Sequence, residues 1–382
     1  MKIKGKEKQI HKFVFVAGFM RVRLGDVCEK GSSNLKQSDV IDKNGEYEIY
    51  GASGLIGKVD FFHQEKPYIA VVKDGAGIGR TMLLPEKTSV IGTMQYILPN
   101  EKVIPKYLYY VIRYMHLEKY FTGATIPHIY FKDYKREEFN LCDLSEQEKI
   151  VSTLSKIEKI ITHRKQQLEK LDLLVKARFV EMFGEPILNE KGWNMVTIGD
   201  IVTEVKYGTS KPAVEGGKYP YLRMNNLTYD GHLDLTNLKM IDIPDSEIEK
   251  CIVHRGDVLF NRTNSIELVG KTCVFDKDED MVIAGYIIRV RLKSIMLPIV
   301  LSYFMNTDAL KKKLRNMAKG AVNQANINAQ EFKSINIYLP PIELQTQFAD
   351  FVKQVDKSRV AIQNDLEQAQ MLFDSLMQEY FG

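Results

Sequence analysis

The stretch FVEMFG at 179–184 is answered at the end of the chain by MQEYFG at 377–382. The pairs Glu181/Glu379, Phe183/Phe381 and Gly184/Gly382 each stand 198 residues apart. Carrying that offset upstream places LSEQEKI (144–150) on IELQTQF (342–348), with Gln147 on Gln345 and Ile150 on Phe348, and the register holds without a gap. Only 8 of the 41 aligned pairs are identical, so hydrophobic spacing is the stronger test. Steps alternating four and three residues from Ile150 meet Leu154, Ile157, Ile161, Leu168, Leu171, Val175 and Met182, with Arg164 and Arg178 as the two exceptions. The same steps from Phe348 meet Val352, Val355, Ile362, Leu366, Ala369, Phe373, Leu376 and Tyr380, with Arg359 as the exception. A seven-residue apolar repeat uninterrupted by Pro or internal Gly predicts a long helix with a seam.

One such stripe alone reads as a core-facing helix. Two in matching register, with net charges of +2 over 144–184 and −4 over 342–382, predict a coiled coil between the two helices. Where one seam carries Arg164 or Arg178, the repeat-related position carries Ile362 or Leu376, and Arg359 falls on Ile161.

The segments before the helices repeat as well. PKYLYYVIRYMHLEKYFTGATIPHIYFKDYK (105–135) runs parallel to PIVLSYFMNTDALKKKLRNMAKGAVNQANINAQEFK (298–333). In each, Pro is expected to open a helix and Gly123 or Gly320 to close it. A polar loop follows, then the matches Ile129/Ile327 and Lys135/Lys333, again 198 apart. Upstream, LGDV (24–27) and IGDI (198–201) open each half, and IGRTMLL and VGKTCVF lie at comparable places within. The runs YIAVV, SVIG, DVLF and YIIRVRL, flanked by turn residues, predict short strands. The expected fold is α+β: two mixed, largely β domains alternating with two long helices, related by an internal pseudo-two-fold repeat. The boundaries are an N-terminal extension at 1–22, a first domain at 23–143, a helix at 144–184, a linker at 185–191, a second domain at 192–341 and a helix at 342–382.

A chain of 382 residues with 45% hydrophobic content suits two or three folded domains. Cys28, Cys142, Cys251 and Cys273 stand far apart with no CxxC pair, which argues against a zinc site or disulfide framework and fits a reducing cytoplasm. The apolar run FVFVAGFM (13–20) is too short to span a bilayer, lacks a small-residue cleavage site and runs into RVRLGD. The net charge of +4 is small for a nucleic-acid binder, so its distribution matters more: +5 over 1–143 and +1 over 185–341.

Catalytic signatures fail on inspection. KDGAGIGR (73–80) has Gly75, Gly77 and Gly79, but Arg80 stands where a dinucleotide loop needs its third Gly and TMLLP follows where a helix is needed. A turn between strands, with Lys73 and Arg80 facing an anionic partner, is the better reading. The only PP, in LPPIE (339–343), follows Leu rather than the Asn or Asp of an adenine methyltransferase. Pro244-Asp245 in IPDSEIEK hints at a metal nuclease, but Ile248 occupies the position of the second acid. No GxxxxGK[ST] offers an ATP site and the seven His are scattered, so neither catalytic nor metal-ligating residues are expected.

What remains is a set of polar and basic loop residues suited to phosphates and base edges. GDVLFNRTNS (256–265) offers Asn261, Arg262, Thr263 and Asn264, and VGKT adds Lys271. YLRMNNL (221–227) offers Arg223, Asn225 and Asn226, and the loops after the shorter helices offer His128, Lys132, Asn323, Gln324 and Asn326. Lys311, Lys312, Lys313 and Arg315 read equally well as a solvated helix face.

These residues resemble a family, the specificity subunit of type I restriction-modification systems. The resemblance rests on IPDSEIEKCIVHRGDVLFNRTN, YEIYGASGLIGKVDFF (47–62), the junction GAVNQANINAQEFKSINIYLPPIELQ and the EYFG terminus, in the family's order from Arg23 onward. Two departures are LCDLSEQ at the first junction where the second reads LPPIELQ, and the roughly twenty residues before LGD. The resemblance implies a non-catalytic reader of double-stranded DNA whose two domains each read half of a bipartite, asymmetric, gapped site in the major groove, on helices paired antiparallel. It implies as partners two methyltransferase subunits, which carry S-adenosylmethionine and methylate adenine, and restriction subunits that use ATP and Mg2+, with no cofactor in this chain and no membrane. Independently, 41 helical residues extend about 60 Å, more than the roughly 34 Å turn of DNA, as a spacer between two reading heads requires. The rival class is a coiled-coil adaptor that binds protein without DNA sequence specificity.

Overall fold

YIAVV forms a strand, Tyr68–Val72, that is buried at all five positions. Strand alternation divides its side chains between two cores. Ile69 and Val71 join a core with the helix Pro105–Tyr114, whereas Tyr68, Ala70 and Val72 pack with Val90, Met94 and Tyr96. A strand covered on both faces has no solvent side to mark with polar residues, which is why the run is continuously apolar. It lies inside an antiparallel sheet ordered Cys28–Ser32, Met94–Pro99, Tyr68–Val72, Thr81–Leu84.

The computed structural model describes residues 19–40, 43–123, 127–321 and 324–382. It divides into two compact units, one comprising the chain up to Lys165 with Asn364–Gly382, the other Gln166–Gln363. The second unit repeats the first sheet strand for strand: Val202–Tyr207, Ile287–Leu292, Val258–Asn261, Thr272–Val274, again all antiparallel. Each unit also closes its two ends with a matching two-stranded pair. Met20–Arg23 runs antiparallel to Glu138–Leu141 in the first, and Asn194–Thr197 to Asn336–Leu339 in the second. Residues 20–22, assigned to an N-terminal extension from sequence, therefore belong to the first domain's closing strand, and residues 1–18 lie outside the described residues. Each unit also carries a mixed sheet, Gly54–Val59, Tyr47–Gly51 and Ser89–Val90 in the first and Lys239–Ile241, Tyr219–Leu222, Met281–Ile283 and Ile252–Val253 in the second, and among the described residues the second alone has a further three-stranded sheet of Thr263–Asn264, Gln324–Asn326 and Lys319–Ala321.

The long helices span Leu144–Phe183 and Ile342–Phe381, and each unit contains part of both. Within the second unit the pairing is antiparallel: the rings of Phe179 and Phe183 meet Phe348 at 5.5 and 5.4 Å, while Asp172, earlier in one helix, meets Arg359, later in the other, at 2.6 Å. Val175, Val352 and Val355 lie buried in the same core. In the first unit Ile150, Leu154, Ile157 and Ile161 share a core with Phe373, and Leu366 and Leu376 pack against it. Leu168 and Ile362 are half-buried and Leu171 packs against the second core. The seam missed Phe179, Phe183, Met377 and Phe381, all buried. Straight helices drift from a seven-residue repeat by about 20° per heptad, so the buried stripe moves one residue over near the helix ends.

Two sequence expectations change. The seam arginines are answered mainly by carboxylates: Arg164 pairs with Asp365 at 3.0 Å, Arg359 with Asp172, and Arg178 with Glu181 of its own helix at 2.9 Å, with Phe351 of the facing helix 5.9 Å beneath its guanidinium. The shorter helices stop well before Gly123 and Gly320. The first ends at Tyr114 because His116 turns left-handed (φ 50°), and the second is split into Pro298–Met305 and Asp308–Met317 by Thr307, whose side chain caps the second piece.

The repeat-related glutamines join each domain to its helix. Gln147 Oε1 accepts from Ile104 N at 2.8 Å and its amide donates to Lys102 O and Cys142 O; Gln345 Oε1 accepts from Leu297 N at 2.8 Å and its amide donates to Ile295 O and Pro340 O. Both are fully buried, so their removal strands backbone groups away from water. Gln345→Leu is expected to destabilise the protein by about 2 kcal/mol. Thermal unfolding of the full chain checks this, and an unchanged midpoint would refute the clasp.

Candidate nucleic-acid interface

The two candidate loops are built on one hydrogen-bonded frame. In the second unit Asn261 N donates to Lys271 O at 2.8 Å and Gly270 N to Asn261 O at 2.9 Å; in the first, Val72 N donates to Arg80 O at 2.9 Å and Gly79 N to Val72 O at 2.9 Å. One residue on, Arg262 N donates to Tyr286 O and Ile327 N to Arg262 O, both at 2.9 Å, while Lys73 N donates to Thr93 O and Ile129 N to Lys73 O, both at 3.0 Å. Arg262 and Lys73 are thus equivalent positions on equivalent scaffolds. The closing glycines share a left-handed backbone, φ +80° at Gly79 and +87° at Gly270, and a Cβ on either would lie within 2.7 Å of a neighbouring heavy atom.

On this frame the second unit gathers Arg262, Thr263, Asn264, Gln324 and Asn326. The strand pairing Thr263↔Asn326 brings the loop after the shorter helices beside NRTN, and Thr263 Oγ1 donates to Asn326 Oδ1 at 2.8 Å. The guanidinium of Arg262 lies over the ring of Tyr207, 4.9 Å from its centroid, and Nη1 reaches Gly285 O at 3.4 Å. Gln324 is exposed and Asn264 half-buried. Asn323 lies outside the described residues.

Four candidates are buried, with their polar groups engaged by the protein itself. Asn261 is 0% exposed and its amide donates to Thr263 O and Tyr286 O, bonds that shape the loop. Thr263 is buried in the strand pairing just described. Lys271 is buried with its ammonium on Met224 O at 2.7 Å, and burial lowers its pKa. Asn226 is buried, accepting from Arg223 N at 2.9 Å and donating to Asp234 O at 2.8 Å. A polar residue in a strand-end turn serves a buried backbone as readily as a ligand, and sequence pattern does not separate the two roles. Arg223 donates to Asn237 O at 3.2 Å and is half-buried, and Asn225 is exposed; both stand in the loop that Lys271 anchors.

In the first unit the frame brings together Lys73, His128 and Lys132. His128 Nδ1 pairs with Asp74 Oδ1, Lys73 lies 3.8 Å from Asp74 Oδ2, and Lys132 rests 5.2 Å from the ring centroid of Tyr130. KDGAGIGR turns between the paired strands Tyr68–Val72 and Thr81–Leu84. Arg80, exposed at the far end of that turn, donates to Ala52 O at 2.9 Å and does not join the cluster.

Sequence reasoning missed the aromatics. Tyr207 (43% exposed) and Tyr286 (47%) flank Arg262, and Tyr130 (45%) stands beside His128 with rings 5.0 Å apart. Their signal was faint: a tyrosine next to a turn glycine, as in Tyr207-Gly208 and Gly285-Tyr286. Aromatic faces beside cations are the usual furniture of a nucleic-acid surface, where stacking and charge act together.

A family model described as the type I restriction modification DNA specificity domain matches the chain twice, over residues 17–171 and 190–369. The chain is 28% identical over 194 residues to the putative type I restriction enzyme MjaX specificity subunit of Methanocaldococcus jannaschii, covering 50% of this chain and 45% of that protein. It is 25% identical over 279 residues to the type I restriction enzyme EcoKI specificity subunit of Escherichia coli K12, covering 68% and 60%. The matches thus span less than two thirds of these relatives' own length. Among solved structures, the type I restriction-modification S subunit of M. genitalium aligns over 98% of both chains with a TM-score of 0.60 at 15% identity. A chain solved in work on complex assembly and conformational transition of the type I R-M system aligns over 96% of this chain and 98% of its own, with a TM-score of 0.54 at 17% identity. At these identities the likeness speaks for the fold.

Proposed function

The chain belongs to the type I restriction-modification DNA specificity family, and from that premise we propose that it is the non-catalytic subunit that reads a bipartite, asymmetric, gapped DNA site and directs partner subunits to methylate adenine or cleave. The observation that carries this reading is the shared loop frame. One scaffold, built twice, presents Lys73 with His128 in one domain and Arg262 with Asn326 in the other, so the two domains offer different donors at equivalent places. Two heads of one fold with different side chains read two different half-sites, which makes the joint target asymmetric.

The chain's own part is to bind and orient. Buried residues fix the loops, exposed cations and tyrosines meet the duplex, and the small net charge of +4 leaves most phosphate neutralisation to partners. Two methyltransferase subunits supply S-adenosylmethionine chemistry in this reading, and restriction subunits supply ATP- and Mg2+-dependent cleavage. Cytoplasmic residence is part of the proposal; no helix among the described residues is long and apolar enough to cross a membrane. The family assignment disfavours the adaptor reading.

The test is to co-express the chain with the methyltransferase subunit of its own genome and map N6-methyladenine in the host DNA. A single gapped, asymmetric motif, methylated on both strands only when this chain is present, is expected. A stable complex that leaves the methylation map unchanged would overturn the reading and favour the adaptor.

A further inference from the structure

We propose that Arg262 and Lys73 are the base-reading residues at the equivalent position of the two domains, and that Arg262 reads a guanine; this rests on the DNA-reading function proposed above. The backbone of Arg262 is fixed on both sides, its N–H donating to Tyr286 O and its carbonyl accepting from Ile327 N. Its side chain is held without a counter-charge. Arg289, Arg291 and Arg359 of the same unit each pair with a carboxylate, whereas Arg262 makes no ion pair among the described residues. Instead the guanidinium stacks over Tyr207, whose hydroxyl accepts from Ala329 N at 2.8 Å and so anchors the platform. Among the described residues its guanidinium meets one protein acceptor, Gly285 O at 3.4 Å from Nη1, while the buried Nε is unpaired and Nη2 donates to no protein group.

A planar, half-buried fork with spare donors, ordered in advance by an aromatic face, loses little freedom on engaging a planar acceptor pair. In the major groove that pair is O6 and N7 of guanine. A phosphate would accept the same donors, and the two uses predict different variants. A base contact sets specificity at one position, while a phosphate contact changes affinity uniformly and contributes about one unit to the salt slope.

The experiment compares the complex of the full chain and its methyltransferase subunit with the same complex carrying Arg262→Ala, using duplexes of the mapped target and its single-base variants together with the genomic methylation map. Discrimination at one guanine of one half-site is expected to fall about 5- to 150-fold, with the other half-site unchanged. Lys73→Ala is expected to alter the other half-site only. An unchanged motif with weaker binding to every sequence and a shallower salt slope would overturn the proposal in favour of a phosphate contact, and an unchanged motif with unchanged affinity would overturn it outright. Should the alanine variant fail to fold, Arg262→Lys keeps the stem and charge but not the fork: lost guanine discrimination supports the proposal and retained discrimination overturns it. A wild-type complex that yields no gapped motif would instead remove the DNA-reading function beneath it.

Discussion

Glu204→Ala is expected to destabilise the protein by about 4 kcal/mol, because it leaves a fully buried arginine without its counter-charge. Arg289 is 0% exposed in the central sheet of the second domain, and its two terminal guanidinium nitrogens donate to Glu204, Ile252 O and Glu249 O, the last at 3.2 Å. Glu204 also meets Lys206 at 2.6 Å and Arg291 at 3.5 Å, the latter held more closely by Asp257 at 3.0 Å. Burial alone would raise its pKa, but hydrogen bonds from Lys206 and Arg289 outweigh that and hold it below the ordinary value of 4.5. A carboxyl depressed in the folded state contributes stability above about pH 4.5 and loses it as pH falls through the lower folded value. At neutral pH the unfolding midpoint should therefore drop by roughly 8–16 °C, and the gap between wild type and variant should close in acid. Replacing both partners, Glu204→Leu with Arg289→Met, should recover much of the loss, since a packed apolar pair carries no desolvation penalty. An unchanged midpoint in the single variant would show that Arg289 needs no carboxylate.

How much of this was legible in advance depends on what kind of interaction fixes each element. The long helices were readable because their determinant is periodic: Ile150, Leu154, Ile157 and Ile161 recur at the spacing of one face and are buried together. Gln147 and Gln345 were visible only as a repeat-related pair, and nothing local in LSEQEKI or IELQTQF announces that each bonds backbone over forty residues away. The seam arginines were misread because their partners, Asp172 and Asp365, stand outside the stepped positions, and ion pairs across antiparallel helices obey no one-dimensional rule. At the loops, residue type found the right neighbourhood but not the roles. Arg262 and Asn261 are adjacent and both polar, yet one stacks over a tyrosine and the other is sealed inside. Strand alternation separates them, and it becomes informative only once the sheet register is known.

That division of roles makes Asn261→Ala the sharpest test of how the interface is built, with an expected loss of about 100-fold in methylation of the target at limiting complex. Asn261 is wholly buried, yet three hydrogen bonds run through its side chain: donations to Thr263 O and Tyr286 O, each at 3.0 Å, and acceptance from Asn264 Nδ2 at 2.8 Å. They tie NRTN to the strand bearing Tyr286, and so fix the backbone from which Arg262 projects. At about 1 kcal/mol each, their loss approaches 3 kcal/mol, enough to turn the reading-competent loop into a minor conformation. Apparent affinity then falls with the fraction of competent loops. In the bipartite reading proposed above both half-sites are read together, so failure in one domain silences the whole target. Assembly with the methyltransferase subunit should persist, since the damage is confined to a loop whose domain core, from Phe260 to Phe332, is untouched. Methylation mapping of the assembled variant checks the prediction. A retained motif at the wild-type rate would mean that the loop holds its shape without Asn261 and that the frame common to both domains rests on its backbone bonds alone.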